Sequence, residues 1–484
     1  MGKETEFVKE IASKEKDFSQ WYVDVVRKAE LADYTPIKGC MVIKPYGYSL
    51  WENMQAGLDK RIKETGHQNA YFPLFIPESL LKREAEHVEG FAPEVAWVTQ
   101  GGSQKLEERM AVRPTSEAII CSLYSKWVKS WRDLPILLNQ WANIVRWEKV
   151  TRLFLRTTEF LWQEGHTVHR TAEEAEEETL KILFEVYQDF IEKELAIPVI
   201  IGRKTEKEKF AGALHTYTLE ALMTDGKVLQ AGTSHNLGQN FAKAFNIKYL
   251  DEDQQEKYVW QTSWGTTTRL IGALVMVHGD ERGLKLPPRV APIQVIIVPI
   301  MFDKTKKEVL EKAEEIKAIL KTNFRVEIDA RDEYTPGWKF NAWELKGVPL
   351  RLEIGPKDLS QGQVVLVRRD SGEKITVKEE RLRETVEEWL DKIQENLRAK
   401  AKEFLEENIR EVSDYNEFKV VIEEKKGLIK AYWCGKGDCE EKIKEETKAS
   451  IRCIPFEPGE NSGTGRCIYC GKESSTLVYF ARAY

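Results

Sequence analysis

The sequence predicts an α+β domain, followed by an α/β domain and a small cysteine-rich α+β domain, with boundaries at 1–290, 291–400 and 401–484. Three observations support this division. The first 290 residues mix long amphipathic helices with short apolar runs, whereas a regular strand–helix alternation begins at Pro292. Five of the seven cysteines lie after position 430. A chain of 484 residues is also too long for one ordinary hydrophobic core.

The first domain is α+β because helical and strand-like patterns alternate irregularly along it. Helical periodicity runs from Ser49 to Gly66 and from Thr171 to Leu195. Short apolar runs occur from Ala70 to Ile76 and from Leu270 to His278. These patterns predict helices packed against a sheet.

The second domain is α/β because strands and helices alternate at short, regular intervals. A long charged helix from Lys378 to about Val412 then leads into the cysteine-rich end. Such a helix is typical of a solvated connector. The predicted elements of the second domain are strand Ile293 to Ile300, helix Lys304 to Leu320, strand Arg325 to Ala330, helix Trp338 to Lys346 and strand Leu350 to Ile354.

Composition excludes several classes of protein. Apolar residues make up 42% of the chain and charged residues 31%, and no apolar run approaches the roughly 20 residues of a membrane helix. The polar N-terminus from Met1 to Phe7 lacks the apolar segment of a signal peptide, so we expect a cytoplasmic protein that does not span a membrane. A formal charge of -6 argues against non-specific wrapping of nucleic acid.

The segment from Arg146 to His166 concentrates residues suited to a binding site. Neither GxxxxGK[ST] nor a GxGxxG between a strand and a helix is present, so a nucleotide would be held in another way. In a strand, Arg146 and Glu148 would project on one face. Such a pair alone is more often a surface ion pair. Arg156 follows, and two glutamates, a tryptophan and a histidine fall within Glu159 to His166.

Together with other segments, these residues resemble the class II aminoacyl-tRNA synthetases, and among them the prolyl-tRNA synthetases of the archaeal and eukaryotic type. The resemblance covers nearly the whole chain and implies an antiparallel catalytic sheet with helices, an anticodon-binding α/β domain and a C-terminal zinc domain. The segments that carry it are Tyr71 to Pro73, Arg113 to Glu117, Arg146 to His166, Gly202 to Gly212, Gly265 to Ala273, His278 to Asp280 and Leu286 to Pro292.

The resemblance implies an ATP site rich in arginine. Arg146 would bridge the α-phosphate and the proline carboxylate, and Arg156 would meet the outer phosphates. Arg269 would stack on adenine or hold the γ-phosphate. Guanidinium groups suit this task because they stay charged and offer a planar fork to phosphate. Mg²⁺ would accompany ATP. The further residues implied for this site are Glu148, Thr157, Gln230, Thr233 and Thr267.

The resemblance also implies a proline site, which needs an acceptor for the imino group and an apolar slot for the ring. Thr115 and Glu117 would meet the imino group, although Thr-Ser-Glu before an apolar run is also typical of a helix N-terminus. Trp162 could instead be ordinary core. A mobile substrate loop would contain Phe91 and Glu94. The remaining residues implied for this site are Arg146, Glu164, His166, Ser263 and Gly265.

Two tRNA contacts follow from the resemblance. Thr233 and His235 would lie where the terminal adenosine arrives, although a lone histidine is more often structural. Phe340, Glu344 and Arg351 would read anticodon bases, since an aromatic stack with carboxylate and guanidinium contacts suits single-stranded bases. The alternative for Phe340 and Glu344 is one amphipathic helical face.

Two close cysteine pairs predict a structural Zn²⁺ site with four thiolate ligands. The pairs are Cys434 with Cys439, and Cys467 with Cys470. Cys453 lies among apolar residues and is predicted to be a buried thiol.

The implied activity is ATP-dependent formation of prolyl-adenylate, followed by transfer of the prolyl group to the 3′-terminal adenosine of tRNA(Pro), by a homodimer. The alternatives are a sister class IIa synthetase for threonine, glycine, histidine or serine, and a non-charging, tRNA-binding paralogue. Such paralogues usually lose a motif arginine, whereas Arg146, Arg156 and Arg269 are all present.

Overall fold

The computed structural model describes residues 11–85, 94–456 and 463–484. Within these ranges, α-helices are numbered α1 to α14 and strands β1 to β25. No described helix carries an apolar stretch long enough to cross a membrane.

The helices pack against a large sheet and around a smaller one. Two π-helical segments, Ile182–Gln188 and Val421–Lys425, and two 3₁₀ turns, Trp131–Asp133 and Glu379–Arg381, accompany them. The α-helices are α1 Phe18–Lys28, α2 Pro45–Glu64, α3 Glu78–Ala85, α4 Glu117–Trp127, α5 Ala172–Lys181, α6 Asp189–Lys193, α7 Asn240–Phe245, α8 Arg269–His278, α9 Lys306–Lys321, α10 Pro336–Leu345, α11 Pro356–Ser360, α12 Leu382–Glu407, α13 Tyr415–Val420 and α14 Gly437–Thr447.

The strands form one long sheet, the sheet of the α/β domain and four small sheets. They are β1 Ala32–Tyr34, β2 Met41–Ile43, β3 Gln68–Asn69, β4 Phe75–Pro77, β5 Trp97–Gly101, β6 Gln104–Val112, β7 Ile136–Val145, β8 Glu159–His169, β9 Ile200–Arg203, β10 His215–Leu222, β11 Val228–Gly238, β12 Lys248–Leu250, β13 Glu256–Tyr258, β14 Trp260–Thr267, β15 Val295–Pro299, β16 Val326–Ile328, β17 Leu350–Ile354, β18 Gln363–Arg368, β19 Lys374–Lys378, β20 Ile409–Glu411, β21 Leu428–Tyr432, β22 Ser450–Pro455, β23 Gly465–Arg466, β24 Glu473–Ser474 and β25 Leu477–Ala481.

The long sheet has eleven strands in the order β20-β21-β25-β22-β9-β10-β11-β14-β8-β7-β3. Its central strands, β9 to β7, are all antiparallel. This confirms the predicted antiparallel catalytic sheet. Behind it lies the largest core, where Trp264 of β14 and Tyr187 are almost fully buried among α1, α2 and α8.

The C-terminal region shares this sheet. Strand β22 pairs with β9 through Ile454↔Arg203 and Pro455↔Gly202. Gly202 permits the close approach, since a Cβ atom there would lie 2.3 Å from the Ile454 carbonyl oxygen. The cysteine-rich region is therefore hydrogen-bonded directly to the catalytic sheet.

The α/β domain has a five-stranded sheet in the order β16-β15-β17-β18-β19. Its first three strands are parallel and β18 and β19 are antiparallel additions. The core consists of β15, β17, α9 and α12 side chains, including Ile297, Leu352 and Trp389. The predicted strand Leu350 to Ile354 is found with those bounds, and the other predicted elements differ by a few residues at their ends.

Three sequence patterns differ from the structure. The helix predicted from Thr171 to Leu195 contains the π-helical segment Ile182–Gln188, which periodicity does not reveal. The helix predicted from Lys378 to Val412 ends at Glu407, because the chain turns into β20. The assignment of Arg146 and Glu148 to a strand is wrong, because β7 ends at Val145 and the chain leaves the sheet there.

Candidate active site

A cavity of about 330 Å³ opens on the face of the central sheet opposite the main core. It is lined by every residue that the sequence assigned to ATP, to proline or to the tRNA acceptor end, the substrate loop apart. These residues are Thr115, Glu117, Arg146, Glu148, Arg156, Thr157, Trp162, Glu164, His166, Gln230, Thr233, His235, Ser263, Gly265, Thr267 and Arg269.

Strand register brings these distant residues into rows. His166, Ser263 and His235 lie opposite one another on β8, β14 and β11. Glu164, Gly265 and Thr233 form the next row. Directly paired residues on neighbouring strands lie about 5 Å apart, so each row is a compact strip across the cavity floor.

Alternation along β8 separates the cavity from the core. Trp162, Glu164 and His166 line the cavity. Gln163, between them, hydrogen-bonds the Tyr187 hydroxyl on the other face at 2.7 Å. Gly165 lies against Trp264, where a Cβ atom would come within 2.1 Å of the indole ring. The interpretation of Trp162 as ordinary core is therefore wrong, because its neighbours in sequence face the core.

Helix α4 begins at the cavity wall, where Thr115 and Glu117 line it. Its N-cap is Ser116, which makes no side-chain capping bond because its hydroxyl donates to Glu164 Oε1 instead. The Thr115 hydroxyl donates to the Glu117 carboxylate, which is buried. The segment is thus both a helix start and part of the cavity wall.

Glu164 and His166 form a buried ion pair, with 2.9 Å between Oε2 and Nε2. Burial opposes both charges, yet the pairing dominates: the pKa of Glu164 is lowered and the pKa of His166 is raised. Gln140 Nε2 adds a hydrogen bond to Glu164 at 2.8 Å. The carboxylate is therefore held ionised in a fixed orientation.

Arg146 and Arg269 line the cavity as cations without a carboxylate partner in the described ranges, with Arg146 exposed to solvent and Arg269 half-buried. Arg146 Nε donates to the Pro114 carbonyl at 2.9 Å, and its guanidinium lies 5.5 Å from the Trp162 ring centre. Arg269 Nε donates to the Leu155 carbonyl at 3.1 Å. Desolvation in the cavity lowers the pKa of Arg146, and desolvation reinforced by Arg146 lowers that of Arg269 to about 10. Two such cations in one cavity favour an anionic ligand.

Arg156 differs because it pairs with Glu148, with 2.7 Å between Nε and Oε2. Two polar atoms of the cavity also lack a hydrogen-bond partner among the described residues, namely Trp162 Nε1 and Ser263 Oγ. Both are buried, and an unsatisfied buried polar atom is costly unless a ligand supplies its partner.

His235 is held as a neutral ring. Burial, with a smaller contribution from His166, lowers its pKa to about 3. Its Nδ1 atom lies 2.9 Å from the Thr216 hydroxyl, and Phe210 packs against the ring. The pKa values of the two cavity histidines are therefore shifted in opposite directions.

Sequence reasoning gave no role to several lining residues. Lys204, Glu208 and Phe210 all belong to the Gly202 to Gly212 segment that carried the resemblance. Their signal was the density of charge in that segment, which periodicity could not resolve into inward and outward positions. Phe160 and Thr216 also line the cavity.

The predicted substrate loop is described in part. Phe91 lies outside the described residues. The Glu94 side chain is exposed, with its carboxylate 3.5 Å from Lys149 Nζ, and its carbonyl accepts from the Trp147 amide at 3.0 Å. Glu94 borders a second cavity that Arg146 and Arg156 also line.

The residues predicted to read the anticodon come together in the α/β domain. The Arg351 guanidinium stacks 4.1 Å from the Phe340 ring centre, and its Nη1 lies 3.0 Å from Glu344 Oε1. Arg351 Nε also donates to Glu353 at 3.0 Å. This guanidinium is therefore fully paired.

Cys434, Cys439, Cys467 and Cys470 converge, with their sulfur atoms all within 4.8 Å of one another. Two Sγ–Sγ distances are 3.6 and 3.7 Å, close to the roughly 3.8 Å that tetrahedral Zn–S bonds of about 2.3 Å require. Cys434 and Cys470 each precede a glycine with positive φ, Gly435 and Gly471, which lets the chain turn around the site. The four thiols fit Zn²⁺. Cys453 is buried, as predicted.

Family models match three segments of the chain. A tRNA synthetase class II core domain for glycine, histidine, proline, serine and threonine matches residues 97–278, and an anticodon binding domain matches 294–389. These two fit any of the sister enzymes. The model of the prolyl-tRNA synthetase C-terminal region matches 415–484.

Curated relatives match the whole length. Proteins named proline--tRNA ligase from Natranaerobius thermophilus and Alkaliphilus oremlandii are 62% and 60% identical to the chain over 481 and 482 residues. At least 99% of each chain is covered. The chain belongs to the class II prolyl-tRNA synthetases. A proline--tRNA ligase 2 from Clostridioides difficile, a further member of this family, is 58% identical over 482 residues.

Proposed function

We propose that this prolyl-tRNA synthetase activates L-proline with ATP and transfers it to the 3′-terminal adenosine of tRNA(Pro). The observation that carries the proposal is the pair of arginines, Arg146 and Arg269, which line the cavity without a carboxylate partner in the described structure. A triphosphate supplies the negative charge that they lack.

The phosphate end of the cavity is built for ATP. Arg146 bridges the α-phosphate and the substrate carboxylate, Arg156 meets the outer phosphates, and Arg269 stacks on adenine or holds the γ-phosphate. Glu148, Thr157, Gln230, Thr233 and Thr267 complete the nucleotide site. Mg²⁺ accompanies ATP and neutralises phosphate charge. These assignments are supported by the shared cavity and by the charge of the three arginines.

The other end of the cavity is built for proline. Glu117 and the Thr115 hydroxyl accept the imino N–H bonds, while the Trp162 ring packs on the pyrrolidine. Glu164 and His166 close the slot, and Ser263 and Gly265 form its floor. Its support is the fixed ion pair beside an aromatic wall, which suits a small ligand with one polar and one apolar side.

The chemistry is two displacements. A carboxylate oxygen of proline attacks the α-phosphorus, the bond to the bridging oxygen breaks, and pyrophosphate leaves. A ribose hydroxyl of the terminal adenosine then attacks the carbonyl carbon of the adenylate, and AMP leaves. No protein nucleophile takes part, so the residues act by positioning reactants and balancing charge. Thr233 and neutral His235 lie at the tRNA end.

The outer parts of the molecule hold tRNA and stabilise the fold. Phe340, Glu344 and Arg351 read anticodon bases. A Zn²⁺ ion bound by Cys434, Cys439, Cys467 and Cys470 holds the C-terminal region together, as the sulfur spacing supports. We assign the catalytic, anticodon-binding and zinc domains to 1–290, 291–400 and 401–484.

We further propose a cytoplasmic homodimer. Exposed aromatic side chains lie on either side of Pro73: Tyr71 is 72% exposed and Phe75 44% exposed. Large exposed apolar side chains support a protein interface. Reduced cysteines suited to Zn²⁺ support a cytosolic location.

Proline-dependent exchange of pyrophosphate into ATP tests the proposal. The assay is run in parallel with proline, threonine, glycine, histidine and serine, using protein with bound zinc. Exchange with proline alone is expected. A folded preparation without proline-dependent exchange would reject synthetase activity, and exchange with another amino acid would assign a sister specificity.

A further inference from the structure

Glu220 lies at the centre of a buried charge cluster beside the cavity. Its Oε1 accepts hydrogen bonds from Lys204 Nζ at 2.6 Å and from the Thr218 hydroxyl at 2.8 Å. Its Oε2 accepts two from Arg452, whose Nε and Nη2 lie at 3.0 and 2.9 Å. Both carboxylate oxygens are therefore fully engaged.

The cluster joins parts of the chain that are far apart in sequence. Glu220 belongs to β10, Lys204 follows β9, and Arg452 belongs to β22 of the C-terminal region. Lys204 Nζ also donates to the Arg452 carbonyl at 2.8 Å, across a separation of 248 residues. The C-terminal region thus supplies a side chain that acts at the edge of the active site.

The cluster has more positive charge than a structural ion pair needs. Lys204 and Arg452 are two buried cations against the one carboxylate of Glu220. A second buried cation adds a desolvation penalty that a simple pair would avoid. This excess fits a requirement that the carboxylate be held from two sides.

Glu220 lies within range of Arg269. In the sheet, Glu220 lies opposite Gln230 of β11. The strand on the other side of β11 is β14, and Arg269 begins the helix that follows β14. Two strand spacings amount to about 10 Å between backbones, a gap that a glutamate and an arginine can close together. The charge of Glu220 also opposes the lowering of the Arg269 pKa by burial. Released from its partners, Glu220 could pair with Arg269.

We propose that Arg452 and Lys204 are positioning residues that hold Glu220 away from Arg269, so that Arg269 stays free for the phosphates of ATP. The inference rests on the proposed function, in which Arg269 binds ATP. In a poorly solvated cavity a carboxylate competes strongly with phosphate for one guanidinium. The device therefore links the C-terminal region to nucleotide affinity.

The test measures KM for ATP and for proline separately in pyrophosphate exchange. Arg452→Met frees Glu220 Oε2, and we expect KM for ATP to rise about tenfold while KM for proline stays within about twofold. Lys204→Met frees Oε1 and has the same expected signature. Arg368→Met is the matched control. Arg368 is a buried arginine of the α/β domain that donates two hydrogen bonds to Asp370. This variant leaves both constants unchanged.

Glu220→Gln supplies the decisive background, because a neutral amide does not compete for Arg269. The double variant Arg452→Met/Glu220→Gln should have the same KM for ATP as the single variant Glu220→Gln. Arg452→Lys keeps a cation, so it preserves the fold even where the methionine variant melts early, and it raises KM for ATP by a smaller factor. Melting curves accompany each variant.

Three results would overturn the inference. They are an unchanged KM for ATP in Arg452→Lys and Lys204→Met, an equal rise of both KM values, or an Arg452→Met effect that persists in Glu220→Gln. Exchange by the unmodified protein separates the two proposals. Its absence rejects the proposed function, whereas normal exchange with any of these three results rejects the positioning role alone.

Discussion

Arginines in two regions of the molecule are prepared in opposite ways. In the cavity, Arg146 and Arg269 have no carboxylate partner among the described residues. In the α/β domain, Arg351 is held by Glu344, Glu353 and the Phe340 ring. The first pair is ready for a ligand that brings its own negative charge. The second must exchange existing contacts for new ones.

This difference suggests that the cavity arginines provide affinity for phosphate, whereas Arg351 provides selectivity among bases. A guanidinium that lines the cavity without a carboxylate partner gains a great deal from a phosphate, so its loss should be nearly fatal to activity. A guanidinium that is already paired gains little net energy from a base, but it rejects bases that cannot replace its partners. Removing Arg351 should therefore cost less than removing Arg146.

The largest effect is expected from Arg146→Ala. It removes the positive charge between the α-phosphate and the proline carboxylate, and exchange should fall by at least about 1,000-fold. Arg170→Ala is the control, because Arg170 is a partly exposed arginine that pairs with Asp251 and does not line the cavity. Near-normal exchange in Arg146→Ala, with a normal melting curve, would show that its lack of a carboxylate partner has no catalytic meaning.

The cysteine cluster is a third case, in which the negative charge of four thiolates is balanced by a bound metal ion. Four converging thiolates repel one another unless a cation is bound, so Cys439→Ser should lower the melting temperature by about 5 °C or more. Bound zinc should fall from about one per chain to well below that. Cys40→Ser, outside the cluster, should retain zinc and stability. Equal zinc content in both variants would refute the site.

A smaller and more selective effect is expected from Arg351→Ala. It should lower kcat/KM for charging tRNA(Pro) about 10- to 100-fold, the range for one base contact, with exchange within about twofold. Lys317→Ala, which removes a surface ion pair in the same domain, is the control. If exchange falls in parallel with charging, Arg351 supports the fold and does not read a base.

The smallest effects concern the two histidines of the cavity, whose pKa shifts have opposite signs. Because the pKa of His166 is raised, its ion pair stabilises the fold below the unfolded value of 6.5 and the contribution is lost as pH rises through the folded pKa. His235 has a pKa of about 3, so its contribution is lost as pH falls from 6.5 towards 3.

Melting curves of His166→Gln and His235→Gln against pH test these signs. Relative to the unmodified protein, His166→Gln should be most destabilised near pH 6 and less so near pH 9, by up to about 1.4 kcal/mol per unit of pKa shift. His235→Gln should gain in relative stability as pH falls below about 6. Parallel curves for the two variants would contradict the opposite pKa shifts.

The sequence predicted the contents of the cavity better than its construction. Trp162, Glu164 and His166 were assigned through the family resemblance of the Arg146 to His166 segment, whereas their alternation along β8 and their register with Ser263 and His235 are seen only in the structure. The backbone position of Arg146 could not be predicted from the sequence. The end of β7 depends on contacts of the following loop with distant segments such as Pro114. The role of Lys204 could not be predicted from the sequence, because its hydrogen-bond acceptors, Glu220 and the Arg452 carbonyl, lie 16 and 248 residues away.

The same limit applies to the domains. Alternating patterns predicted the α/β sheet well, since its strands and helices are close in sequence. The joining of β22 to β9 left no local signal: it depends on Gly202 accepting a neighbouring backbone.

The joining of β22 to β9 has a consequence for synthesis on the ribosome. While the intervening residues are translated, at roughly 5 to 20 per second, the outer edge of β9 has no partner for about 10 to 50 seconds. An open strand edge invites pairing with other nascent chains. Expression of this protein should therefore depend on chaperones that shield nascent chains, and ribosomes stalled before β22 should release aggregating fragments.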